Sequence, residues 1–74
     1  MLTCVFIAGV LTLSNGAEAM PYENVQFMQR RGENVLLHSR TFDMQVSNPT
    51  YLAPEVLVQR CAEKAEEEFQ RRSE

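Results

Sequence analysis

The side chains best suited to acid–base or nucleophilic chemistry are one histidine and two cysteines. His38 is the only histidine of the 74-residue chain, and Cys4 and Cys61 stand far apart in the sequence. A catalytic thiolate needs a nearby base and a third group that orients this base, and no flanking motif supplies either. We therefore expect His38 to be a structural residue among apolar neighbours, and the chain not to be an enzyme.

The sequence does not indicate a metal or cofactor site. One histidine and two distant cysteines do not have the spacing of zinc ligands. The consecutive acids Glu66–Glu68 would point to different sides of a helix, so they would not converge on a cation. Gly9, Gly16 and Gly32 are isolated, which is not the pattern of a glycine-rich phosphate loop. We expect neither a metal nor a cofactor.

Three arginines are the strongest candidates for a charged binding site. Arg30, Arg31 and Arg40 lie around a predicted hairpin, with Tyr22 and Phe27 near enough to stack on bases. The whole chain carries 10 acidic and 7 basic residues and a net charge of −3, which is not the positive field of a duplex binder. Nucleic-acid binding through these arginines is therefore an alternative hypothesis.

The two cysteines lie in apolar surroundings. Cys4 belongs to the uncharged run from Leu2 to Leu13, and Cys61 lies on the apolar side of a predicted helix. They could pair in an oxidising compartment, but sequence spacing alone does not establish a disulfide. We expect two free, buried thiols that serve as small apolar side chains.

The run from Leu2 to Leu13 dominates the N-terminal part. Apolar residues occupy both alternating phases, which is typical of a buried strand or strand pair, with a bend or bulge at Gly9. The run also has the length of a signal-peptide core, and Ala17–Ala19 has the small–x–small pattern of a cleavage site, but no Lys or Arg precedes Arg30. As a helix it would span about 18 Å, short of the roughly 30 Å of a bilayer core.

Turn signals divide the following residues into strands. Asn15-Gly16 predicts a hairpin with a type I′ turn, and Gly32-Glu33 predicts a second tight turn between strands at about 22–30 and 35–46. That register places Phe27 opposite His38 and Val25 opposite Arg40. In the second of these strands, apolar residues occupy both alternating positions before residue 39 and only one of them after it. This change suggests a bulge near position 39.

The C-terminal third predicts a loop and one helix. Pro49 and Pro54 disfavour helix in the loop at 47–53, and Pro54 itself suits a first helical turn. The apolar residues of the following segment recur at spacings of three and four, which predicts a helix over about 54–72 with one apolar stripe. That stripe comprises Leu57, Val58, Cys61, Ala62, Ala65 and Phe69.

Together these elements predict an α+β fold in a single small domain. We expect an antiparallel meander of three or four strands with one C-terminal helix packed on one face. One helix cannot cover the whole sheet, so the apolar first strand is left for a partner. Val5, Ile7 and Leu11, which share one phase of that strand, are the predicted interface, with His38 and Arg40 as polar contacts.

The resulting functional hypothesis is a small noncatalytic interaction module, accessory or regulatory in role. We expect a homo-oligomer or another protein as partner, a cytoplasmic location, and neither a membrane nor a small-molecule substrate. An exported protein with residues 1–19 as signal peptide is the alternative. Small acidic proteins of this layout recur among bacterial and phage accessory proteins, an analogy of size and layout alone.

Overall fold

The computed structural model describes residues 1–73, which form six strands, a short 3-10 helix and one α-helix. The 3-10 helix spans Tyr22–Asn24 and the α-helix, α1, spans Pro54–Ser73, against an expected range of about 54–72. The strands are β1 (Thr3–Ile7), β2 (Val10–Ser14), β3 (Ala19–Pro21), β4 (Phe27–Arg31), β5 (Asn34–His38) and β6 (Asp43–Ser47).

The strands form two antiparallel sheets instead of one meander. The first sheet has the order β1-β2-β3 and the second has the order β4-β5-β6. The predicted α+β class is confirmed, but the six strands are shorter than expected and divide between the sheets. Pro21 ends β3, since a proline cannot donate to a strand ladder, and the 3-10 helix then leads into the second sheet.

The apolar run at 2–13 is a hairpin instead of one strand, so its residues lie on different sheet faces from those predicted. Ala8 and Gly9 both have positive φ, 51° and 79°, as a two-residue turn requires. Ile7 therefore pairs with Val10, and Phe6 pairs with Leu11. Because paired residues point to the same face, Leu11 lies on the face opposite Val5 and Ile7. The single phase predicted for Val5, Ile7 and Leu11 is wrong for this reason.

The predicted hairpin at Asn15-Gly16 forms, but with a longer loop. Ser14 pairs with Ala19, and residues 15–18 connect them. The side-chain Oδ1 of Asn15 accepts hydrogen bonds from the backbone N–H groups of Ala17 and Glu18, at 2.9 and 2.7 Å. This Asx turn replaces the predicted type I′ turn, because a side-chain acceptor closes the loop without positive φ at Asn15.

The long strand predicted at 35–46 is also two strands. Ser39 reverses the chain: its N–H and its hydroxyl both donate to the carbonyl of Phe42, at 3.1 and 2.7 Å. The expected bulge near position 39 is therefore a turn, and Arg40 lies in it instead of facing Val25. The pairing of Phe27 with His38 and the turn at Gly32 are confirmed.

The two sheets and α1 share one hydrophobic core. The inner faces of the sheets contribute Leu13, Met20, Val35, Leu37, Met44 and Val46, and the helix contributes Val58, all less than 5% exposed. Since buried residues of β5 and β6 alternate with more exposed ones, each sheet keeps one face toward this core and one away from it.

A disulfide joins Cys4 of β1 to Cys61 of α1. The prediction of two free thiols is therefore wrong. Both residues face the core, and their Cα atoms lie 5.6 Å apart, within the range that a disulfide spans. The bond closes a loop of 57 positions between the first strand and the helix.

Candidate functional site

An open groove lies between the N-terminal residues, the loop after β6 and α1. Its volume is about 600 Å³, within the range of roughly 300–1,000 Å³ typical of small-molecule sites. Leu2, Leu52 and Leu57 line it together with the Cys4–Cys61 disulfide. Most of the lining is therefore apolar, and the disulfide joins the strand side of the groove to the helix side.

Polar groups stand on the groove's two sides. On the loop side these are Ser47 and Thr50, and on the helix side they are Arg60, Lys64 and Glu68. The three helix residues are spaced by four, so they lie in one row along α1. The row carries two positive charges followed by one negative charge, so charge is concentrated along one edge.

A buried asparagine shapes the loop side of this groove. Asn48 is fully buried; its Nδ2 donates to the carbonyl of Leu52 at 2.8 Å, and its Oδ1 accepts from the Leu52 N–H at 3.2 Å. Its own N–H donates to the Glu33 carbonyl at 2.6 Å. These bonds satisfy a buried amide and hold Leu52 against the groove.

The same loop is fastened to the β4–β5 hairpin through Tyr51. Tyr51 has a positive φ of 53°, which is unusual for a residue with a large side chain. Its hydroxyl donates to Glu33 Oε1 at 3.1 Å, and its carbonyl accepts from Arg30 Nη1 at 3.3 Å. The loop side of the groove is therefore fixed by contacts outside the loop itself.

The outer face of the first sheet has no charged residue. Its cross-strand rows are Thr3–Ser14–Ala19, Val5–Thr12–Pro21 and Ile7–Val10. Val5 is 40% exposed and Ile7 is 57% exposed. We call these eight residues the uncharged face. Two of the predicted interface residues, Val5 and Ile7, lie on it next to each other.

The other three predicted interface residues lie elsewhere. Leu11 faces the core and packs against it. His38 is on the outer face of the second sheet, and Arg40 lies in the turn after it. The five residues therefore do not form one continuous surface.

The arginines of the nucleic-acid hypothesis do not converge. Arg30 and Arg31 are consecutive in β4, so they point to opposite faces of the second sheet. Arg31 pairs with Asn34 at one end of β5, whereas Arg40 follows His38 at the other end. At about 3.4 Å per residue, these two ends are more than roughly 13 Å apart along the strand.

His38 lies in a row of three paired residues. Its ring stacks on Phe27 with centroids 4.1 Å apart, and its Nδ1 lies 2.8 Å from Asp43 Oδ1. Its Nε2 is buried and has no hydrogen-bond partner within the described residues. Asp43 fixes the ring through Nδ1, as the paired register of β4, β5 and β6 allows.

Sequence reasoning missed the groove altogether. One signal was available: Leu57, Arg60, Cys61 and Lys64 are spaced by three and four, so one helix face combines apolar and basic residues. The wall opposite could not be inferred, since it depends on the disulfide and on the loop held by Asn48.

Comparisons with known proteins found no protein-family model, curated protein or solved structure that matches this chain. Within residues 1–73, no three histidine, cysteine, aspartate or glutamate side chains come together as metal ligands would. No helix among the described residues is long and apolar enough to cross a lipid bilayer.

Proposed function

We propose that this protein is a small noncatalytic interaction module that self-associates through the uncharged face of its first sheet. The observation that carries the proposal is the exposure of Val5 and Ile7 on a face whose eight residues include no charge. A second copy of the chain is the proposed occupant, in a symmetric contact of the same face with itself.

The lack of charge on this face allows two copies to meet there despite their like net charge. Each chain carries a net charge of −3, and like charges that face each other across a contact cost binding energy. None of the eight residues of the uncharged face is ionised; the charged side chains that flank it beside Val5 are Glu68 and Arg72, one of each sign. Val5, Ile7 and Val10 would exchange water for apolar contact.

The size of the face predicts weak association. Two strands of five residues and one of three, rising about 3.4 Å per residue and spaced by about 4.8 Å, cover roughly 210 Å². A standard stable interface buries about 800 Å² on each partner. We therefore expect a reversible dimer that forms at high concentration, as suits an accessory or regulatory module.

Sedimentation velocity over a series of protein concentrations tests this proposal. The native chain should show a weight-average mass that rises from monomer toward dimer, and Ile7→Glu should remain monomeric over the same range. Gln29→Glu is the matched control, because it adds the same charge at an exposed strand position of the second sheet. A native chain that is monomeric throughout, or equal dissociation by both variants, would overturn the proposal.

The disulfide supports a location outside the reducing cytosol, in place of the expected cytoplasmic one. Disulfides persist mainly in secreted, periplasmic and comparable oxidising environments. Residues 1–19 contain β1, β2 and Cys4, so cleavage after them would remove both the strands and the bond. We therefore propose an oxidising compartment with these residues retained. Thiol trapping of the protein in its native host would test this, since finding both cysteines alkylated would contradict it.

A further inference from the structure

We propose that the groove between the N-terminus, the loop at 48–52 and α1 binds a long-chain carboxylate, that is, a fatty-acid anion. The acyl chain would lie against Leu2, Leu52 and Leu57, and the carboxylate would meet Arg60 and Lys64. This site adjoins the uncharged face only at Thr3, which belongs to both, and it does not depend on self-association.

The apolar part of the groove has the character of an acyl-chain site. Leu2 is 9% exposed, and Leu52 and Leu57 are half-buried, so the groove floor is formed by side chains already anchored in the fold. The disulfide adds a further apolar surface between the strand and the helix. A linear hydrocarbon chain can follow an open groove and exclude water from it.

The two cations on the helix side determine the charge of the ligand. Arg60 and Lys64 are exposed and one helical turn apart, and neither makes an ion pair or a side-chain hydrogen bond with any residue in 1–73. A guanidinium can bind a carboxylate with two parallel hydrogen bonds, and an ammonium adds a point charge. An anionic head group is therefore favoured over a neutral or cationic one.

Glu68 determines the direction of the bound chain. It continues the row of Arg60 and Lys64 by one more turn and also lines the groove. A carboxylate next to Glu68 would meet a like charge, so the head group belongs at the Arg60 end. The acyl chain then runs toward Leu57 and Leu52, away from the acidic end of the row.

The rigid loop side favours binding because the groove exists before the ligand arrives. The bonds of Asn48 to Leu52 and of Tyr51 to Glu33 and Arg30 hold that side in place. A preformed site avoids the entropic cost of ordering a loop on binding.

Titration with sodium dodecanoate below its micelle concentration, followed by backbone amide NMR of the full chain, tests the proposal. Dodecan-1-ol is the matched ligand, because it has the same chain without the charge. We expect saturable shifts at residues 2, 4, 50–52 and 57–64 with dodecanoate, and binding of the alcohol weaker by about tenfold or more, as loss of a charge-assisted hydrogen bond implies.

Variants of the cations separate the site from general binding to a basic chain. Arg60→Gln with Lys64→Gln should weaken dodecanoate binding by about tenfold or more, whereas Arg71→Gln, a helix arginine outside the groove, should leave it unchanged. Both cations are exposed, so the double variant should fold like the native chain. Equal affinity for acid and alcohol, shifts on the uncharged face instead of the groove, or no saturable shifts at all would overturn the proposal.

Discussion

Cys4 of the first strand and Cys61 of the helix are joined by a disulfide that connects the two ends of the fold. Between them lie all the remaining strands and the loop that forms one side of the groove. The bond therefore restricts the unfolded chain over most of its length, while in the folded state it lines the groove.

Reducing this disulfide should destabilise the protein markedly. Closing a loop of 57 positions lowers the entropy of the unfolded chain by an amount worth about 4 kcal/mol. Urea unfolding with and without a reductant measures the difference. The double variant Cys4→Ala with Cys61→Ala is the control, since the reductant should not change its midpoint. An unchanged midpoint in the native chain would show that the bond does not stabilise the fold.

Ala8 is a position at which glycine should be more stable than the native residue. Its φ of 51° lies in the left-handed region, where a β-carbon costs roughly 1–2 kcal/mol. After the greater flexibility of unfolded glycine is subtracted, Ala8→Gly should raise the free energy of unfolding by up to about 1 kcal/mol. The measurement is urea unfolding monitored by circular dichroism.

Ala17→Gly is the matched control for this turn. Ala17 is also an exposed loop alanine, but its φ is not positive. Glycine there should lower the free energy of unfolding slightly, because it adds freedom only to the unfolded chain. If both glycine variants change stability in the same direction, the turn at Ala8-Gly9 is not strained as described.

Asn48→Ala should weaken both the fold and the groove. The substitution leaves the N–H and the carbonyl of Leu52 without their side-chain partner, which costs about 2–3 kcal/mol where these groups stay dry. We expect the loss in thermal or urea unfolding and a parallel loss of dodecanoate affinity. Thr50→Ala, an exposed change in the same loop, should alter stability by less than about 0.5 kcal/mol. Equal losses of unfolding free energy in the two variants would contradict the structural role of Asn48; Thr50 lines the groove, so the comparison concerns stability alone.

Local patterns in the sequence are sufficient to predict the elements whose boundaries are marked by nearby residues. The helix after Pro54 and the register of Phe27 against His38 were predicted because a proline, a periodic stripe and a glycine turn fix them locally. At Ala8-Gly9 the sequence predicts a bend at Gly9 alone, because alanine rarely adopts positive φ. This one difference moved Leu11 to the core face.

Local patterns do not predict the features that depend on contacts between residues distant in the sequence. The pairing of Cys4 with Cys61 and the groove beside it depend on how β1 lies against α1, which no local spacing encodes. Arg30 illustrates the same point: the sequence suggests a free basic residue, whereas the structure has it donating to the carbonyl of Tyr51. Binding residues that are brought together by tertiary contacts can be recognised only once the fold is known.

The buried Nε2 of His38 predicts that an apolar ring would be more stable at this position. Within residues 1–73 this nitrogen has no partner, and such a group costs about 1–3 kcal/mol. The bond lost with Asp43 is worth less than about 1 kcal/mol, because the Asp43 side chain is 57% exposed and solvent screens the pair. His38→Phe, which keeps the stack on Phe27, should therefore raise the free energy of unfolding by about 1 kcal/mol. His38→Ala, which removes the stack, should lower it; a His38→Phe variant as unstable as His38→Ala would show that Nε2 has a stabilising partner.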